Sequence, residues 1–518
     1  MSNGDGSAVR SYHDRTKHSP ASVRASRHAL DWANQPLAFK IYETLEPIAL
    51  PRELPPIDVP ALEAIARVES STANECVPDL PTLTQLLYYS AGITRRTTYP
   101  GGEIYYRAAA CTGALYHIDL YLVCGDLPAL AAGVYHFGPQ DRALRRLRPG
   151  DHRRTLIEAT GDEAATAAAP VILVCASTYW RNAWKYQARA YRHCFWDTGT
   201  LLANLLAVAA ARAVPARVVA GFVDRAVERL LDLDPGRESA IALVPLGHTR
   251  DRPGRAPDAP PLGLRTVALS AHEVDYPAIC AAHLASSLET PEQVRTWHGH
   301  TPLSVVPPPA GPLIPLTPLP GASAPRDAID RVILRRGSTR EFGRVPIGLA
   351  AFATTLERAT RGVPADFLDP PGASLNDLYL IVNAVDGLRA GAYVFHRERA
   401  ALELLREGDF RRDAGYLGLG QDIPADASAD VFLLADLAPV LARYGDRGYR
   451  AAALEAGIIG GKLYLAAYAQ RVGASGLTFF DDDVTAFFSP HARGKSVLFL
   501  VALGISARRA ARQEATPA

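Results

Sequence analysis

The stretch NAWKYQARAYRH (182–193) sets Lys185 and Tyr186 just ahead of Arg189, Tyr191 and Arg192. The chain holds five lysines against fifty arginines, so a lysine here points to chemistry rather than to charge alone. A guanidinium does not shed its proton in a protein, whereas a desolvated ammonium beside other cations can do so and act as a general base. The adjacent tyrosine can relay that proton or hydrogen-bond a heteroatom of a substrate. A second stretch, LARYGDRGYRA (441–451), repeats the pattern but reads Arg443–Tyr444. Only the first stretch has a side chain that can lose a proton at that place.

The two stretches belong to a longer repeat. Gly133-Val134-Tyr135 recurs as Gly391-Ala392-Tyr393, an offset of 258 that also relates Lys185 to Arg443, Gly199 to Gly457 and Asp224 to Asp482. One offset held over 91 positions marks a tandem duplication, with a period far too long for a solenoid. The expected organisation is a lead-in segment (1–55), a first domain (56–248), a Pro-rich linker region (249–325), a second domain (326–507) and a tail (508–518). Within the linker region SVVPPPAGPLIPLTPLPGASAP (304–325) reads as extended chain, and residues 264–300 add a helix or two.

Each copy must supply a frame for these side chains. IDLYLVCG, AAPVILVCAS, ARVVAGFV and AIALVPLG read as strands, with the long apolar helix DTGTLLANLLAVAAARA among them. EAGIIGGKLYLAAYAQRVG is its analogue in the second copy. The fold class expected is α+β, a sheet covered by helices in each copy. A formal net charge of +1 gives no strong pull toward nucleic acid or a membrane surface. Six cysteines without a CxxC pair read as reduced thiols in a cytoplasmic protein. No signal peptide or membrane-spanning run is read, and the histidines show no HxH or HExxH spacing, so no metal site is expected.

The order of LPTLTQLLYYSAGIT, ACTGALYHIDLYLV, LAAGVYHF and WKYQARAYRHCFWDTGTLLANL resembles the SagB-type (ThcOx-like) dehydrogenases of the FMN-dependent nitroreductase superfamily. The N-terminal RTKHSPASVRASRHALDWANQPLAFKIYETLEPIALP resembles that group's lead-in. The resemblance implies a nitroreductase-like fold in which two domains share FMN at their interface. Here the two copies would form a pseudo-dimer within one chain. One partner gives an R-x-S-x-R motif toward the phosphate, and the other a P-S-x-G-type loop and the lysine–tyrosine helix.

Each copy retains a different half of that site. LRRGSTREF in the second copy carries Arg336, Ser338 and Arg340, and fixed guanidiniums with a hydroxyl suit a phosphate dianion. The first-copy equivalent RVESSTANE retains Ser71-Thr72 but has Glu69 and no arginines at the motif positions. Conversely ACTGALY (110–116) supplies Cys111, Thr112, Gly113, Ala114 and Leu115 as the P-S-x-G-type loop, although Ala110-Cys111-Thr112 depart from Pro-Ser-Ala. The second-copy PPGASLND is one residue shorter and lacks the aromatic Tyr116. One complete site is therefore expected, facing Lys185–Tyr186, and one degenerate interface facing Arg443–Tyr444. Gln421, Gly476, Leu477, Thr478 and Arg508 are further expected flavin contacts by the resemblance.

The activity implied is oxidation of a thiazoline or oxazoline in a modified precursor peptide to the azole, with Lys185 and Tyr186 catalytic and a cyclodehydratase as candidate partner. Other oxidative tailoring, an NAD(P)H-fed nitro or quinone reductase, and a flavin-free peptide-binding scaffold are the alternatives.

Overall fold

The computed structural model describes residues 3–68, 74–99, 102–301 and 306–514. Glu69, Ser71 and Thr72 of the first-copy motif lie outside them, as do 100–101 of the hairpin below and 304–305 of the proline-rich stretch. Each copy forms one large antiparallel sheet, and the first adds a separate two-stranded hairpin. In the first, the strand order is Pro47–Ala49, Ala143–Pro149, Gly133–Gly138, Ile118–Cys124, Val171–Thr178 and Glu238–Leu246. The second runs Gly473–Leu477, Ser496–Gly504, Ala429–Ala435, Asp377–Val382, Gly391–His396, Ala401–Glu407 and Leu313–Pro315. The central strands are buried on both faces, which is why they read as continuous apolar runs. Leu313–Pro315 is a short edge strand inside the stretch expected to be plain linker, a position that tolerates proline.

Two apolar helices, Ala190–Ala211 and Arg447–Ala469, cross at the centre between the copies. Gly199 and Gly457 meet at the crossing, where a Cβ on Gly199 would lie 2.5 Å from the Gly457 carbonyl carbon. Among the described residues, helix Tyr179–Tyr186 and the central helix after it form one helical run long and apolar enough to cross a membrane, contrary to the expectation of none. It is buried in the fold, because a helix apolar on all sides is satisfied equally by a protein core.

Reciprocal buried ion pairs lock the copies. Arg189 and Arg192 reach Asp481 at 3.0 and 2.6 Å, and Arg447 and Arg450 each reach Asp224 at 2.6 Å. The constant offset expected Asp482 as the counterpart of Asp224. Asp481 takes that place, because the sequence slips by one residue after the central helix and ARVVAGFVD aligns with GASGLTFFD. Asp482 instead lies on the surface against Lys17.

The same arginines hold the lead-in. Arg192 donates to the His13 carbonyl and Thr16 Oγ1, and His18 N–H bonds Asp481. Arg450 donates likewise to the His283 carbonyl and Ser286 Oγ, and Leu288 N–H bonds Asp224. Helix Pro277–Ala285, within the expected linker region, thus stands to the second copy as helix Ser7–Arg15 stands to the first.

Candidate active site

Lys185 and Tyr186 end helix Tyr179–Tyr186, one residue before a backbone break at Gln187 (φ 51°) that turns the chain into the central helix. Both line a cavity of about 1050 Å³ between the copies. Small-molecule sites run to roughly 300–1,000 Å³, so there is room for a cofactor and a substrate together. First-copy loop 111–115 faces second-copy Ser338, Arg340, Gln421 and Gly476–Thr478 across this space. The expected catalytic pair and most of the expected binding residues therefore share one cavity.

Two expected residues do not line it. Arg336 reaches across the interface and donates to the carbonyls of Ala108 (3.0 Å) and Arg107 (3.2 Å), tying the motif to the other copy. Arg508 is exposed on the terminal helix Ala507–Glu514. Gln421 faces the cavity with its amide donating to the Gly418 carbonyl.

The 111–116 loop is fixed by Asp197, about two turns into the central helix. Its carboxylate accepts from Thr112 N–H (2.9 Å), Thr112 Oγ1 (2.8 Å) and Cys111 Sγ (3.2 Å), and pairs with His117 Nε2 at 2.8 Å. Cys111 Sγ in turn accepts from Tyr116 N–H. Burial, then Asp197, pushes the Cys111 thiol well above its usual range, so it serves as a neutral loop fastener. Gly113 sits at φ 64°, and a Cβ there would lie 2.7 Å from the Tyr186 hydroxyl, so glycine is required on both counts. Burial, followed by Asp197 and Cys111, raises Tyr186 far above an ordinary phenol, with Arg340 opposing. Tyr186 is thus a protonated donor. Lys185 has no carboxylate partner among the described residues; its Nζ lies 5.5 Å from the Tyr186 ring.

Sequence reasoning missed three kinds of contributor. Lead-in residues, among them Thr16, His18, His28 and Trp32, wall the outer cavity. Burial, then Arg189, lowers His18 to about 4, so it is neutral near pH 7. Asp197 was legible as an acid present in both copies, since Glu455 stands at the same offset and accepts from Leu375 N–H. Trp196 and Tyr464 also line the cavity, one on each central helix.

The other interface is filled by protein. Residues 363–369 of the second copy lie against the first-copy segment 216–221, with Val218 N–H donating to the Pro364 carbonyl at 2.7 Å. Asp366 accepts from Ala220 N–H (2.9 Å) and Gly221 N–H (2.8 Å), the counterparts of Leu477 and Thr478, and also pairs with His298. Tyr444 is 1% exposed and donates to the Phe367 carbonyl, and Arg443 donates to the His298 carbonyl. The stretch 363–369 is thus a plug.

The open cavity offers a cation and unpaired donors to an anionic ligand rich in hydrogen-bond acceptors. Arg340 has no carboxylate partner among the described residues, and Ser338 stands beside it. Trp196 Nε1 and Thr478 Oγ1 are buried without a hydrogen-bond partner in residues that line the cavity.

The Nitroreductase family profile matches residues 126–248 and 333–505, more than half the chain. The chain belongs to that family of oxidoreductases, which typically bind flavin, and its two copies have the nitroreductase-like fold. A nitroreductase-type protein of Anabaena variabilis superposes with TM-score 0.76 and 27% identity over 96% of this chain and 99% of that one, so the whole two-copy arrangement is shared. The trifolitoxin-processing protein TfxB of Rhizobium leguminosarum bv. trifolii is 28% identical over 185 residues, 35% of this chain and 49% of TfxB. The microcin B17-processing protein McbC of Escherichia coli is 26% identical over 161 residues, 30% of this chain and 56% of McbC. The matched stretch spans about half the length of each of these two peptide-processing relatives.

Proposed function

We propose that the chain is an FMN-dependent dehydrogenase of the SagB type that oxidises azoline rings of a modified peptide to azoles, working from one site per chain. The observation that carries this reading is the asymmetry of the two interfaces. Lys185–Tyr186 meets Ser338 and Arg340 across an open cavity, while Arg443–Tyr444 meets a plug. Arg340 and Ser338 would hold the phosphate, the 111–115 loop and Gly476–Thr478 would border the ring, and Arg336 would brace the motif from behind. FMN, when bound, supplies the hydride acceptor. Lys185 takes the ring proton, and Tyr186 holds the ring by donating a hydrogen bond to its heteroatom. Asp197 keeps the loop beneath Tyr186 in place, and the lead-in excludes water from one side.

A peptide substrate is supported by the relatives that process trifolitoxin and microcin B17 and by the open mouth, where Trp32 is 66% exposed. A cyclodehydratase would supply the azoline. The test is to incubate the purified protein with an azoline-bearing peptide and follow the mass of the product and the flavin spectrum. Loss of two hydrogens from the peptide is expected; nitro or quinone reduction fed by NAD(P)H without peptide oxidation would replace this reading by a reductase.

A further inference from the structure

The crossing of the central helices gives each interface one position from the front half of one helix and one from the back half of the other. At the open cavity these are Trp196 and Tyr464. At the offset of 258 the corresponding residues are Leu454 and Leu206, both buried. Leucine therefore fills the same place in the helix pair where no cavity has to be served. What the open side adds is two aromatic rings with polar tips.

Both tips are turned to use. Trp196 is 2% exposed, and its Nε1–H has no hydrogen-bond partner although the ring is wedged between Phe479 and Phe499, with centroids 5.9 and 5.6 Å away. A buried unpaired N–H is costly, so a core that needed only volume would favour leucine, as the other copy has it. The Tyr464 hydroxyl bridges Ser338 Oγ at 3.2 Å and the N–H of Gly476. It thereby links the phosphate-side motif to the backbone that borders the ring. One turn on, Tyr468 OH meets Thr339 Oγ1 at 3.2 Å, where the first copy has Ala210.

We propose that Trp196 and Tyr464 are flavin-binding residues peculiar to the open interface, their indole N–H and phenol O–H donating to the bound cofactor. This rests on the flavin reading above. The test is equilibrium titration of apoprotein with FMN, followed by flavin fluorescence, for wild type, Trp196→Phe and Tyr464→Phe. Phenylalanine keeps a ring and removes the donor, and at 464 also the acceptor of the Gly476 N–H. Each variant is expected to weaken FMN binding about tenfold, the loss of one hydrogen bond, with the apoprotein still folded and its melting temperature lowered in Tyr464→Phe, which also leaves the Gly476 N–H unpaired. Tyr464→His, which restores a donor, is expected to recover part of the affinity, and it serves as the second variant if Tyr464→Phe does not fold; Trp196→His does the same at the other position. Wild-type FMN affinity in either folded phenylalanine variant overturns this inference alone. Wild-type protein that binds no FMN overturns the flavin reading instead.

Discussion

Under the proposed mechanism, a lysine at position 185 of an arginine-rich chain is required by what each cation can lose. Lys185→Arg preserves charge and approximate length but removes the neutral form, and with it a general base of about 10² to 10⁴ in rate. Turnover is expected to fall by that factor while FMN stays bound, as measured by rate and by flavin content on one preparation. Arg443→Lys should leave the rate unchanged, because position 443 faces the plug and donates to the His298 carbonyl. Tyr186→Phe should give a smaller loss, falling mainly on substrate binding, since burial and Asp197 keep that phenol protonated. A loss as large as that of Lys185→Arg would make Tyr186 the base.

The plug and the hairpin are the elements that make the two interfaces differ. Asp366→Ala strips acceptors from Ala220 N–H and Gly221 N–H and a partner from His298. A loss of about 2–4 kcal/mol in urea unfolding is expected, with two buried donors left unpaired. Flavin content should not rise, because the arginines of the phosphate motif are absent on that side. The hairpin Ile93–Tyr99 and Gly102–Arg107 carries the Arg95–Tyr106 stack, at 4.1 Å, and places Ile104 and Tyr106 at the cavity mouth. Deleting 98–104 should raise KM for a peptide substrate without changing flavin content; loss of flavin would give the hairpin a structural role. The central helices and most strands were legible because apolar runs and a constant offset are local signals, whereas ARVVAGFV, expected as a strand, makes only isolated bridges, among them Val219 to Leu243 and Val218 to Ala365 of the plug. The plug was not, because Val363–Asp369 gains its meaning from a first-copy segment some 145 residues earlier in the chain, as the Gly221–Asp366 bond shows. The role of helix Pro277–Ala285 was hidden likewise, since its resemblance to Ser7–Arg15 lies in who binds the arginines rather than in sequence.

At the scale of the molecule, duplication has given one chain two interfaces of different purpose: an open one that gathers reactive side chains and a closed one that binds the copies together. The reciprocal aspartates serve both. Burial pushes Asp224 up, but Arg447 and Arg450 outweigh it and hold the carboxyl at about 2. Its folded pKa lies below the unfolded value of about 3.9, so its contribution is whole above about pH 4 and fades as pH falls toward 2. Asp224→Asn should lower the melting temperature at pH 7 and flatten its decline between pH 4 and 2; an unchanged acid profile would remove this carboxylate from the lock. The asymmetry itself is tested most directly by counting flavin. Protein reconstituted with excess FMN, freed of unbound cofactor and then denatured, should release one FMN per chain. Release of two per chain, with the plug in place or displaced, would contradict a single site built from complementary halves.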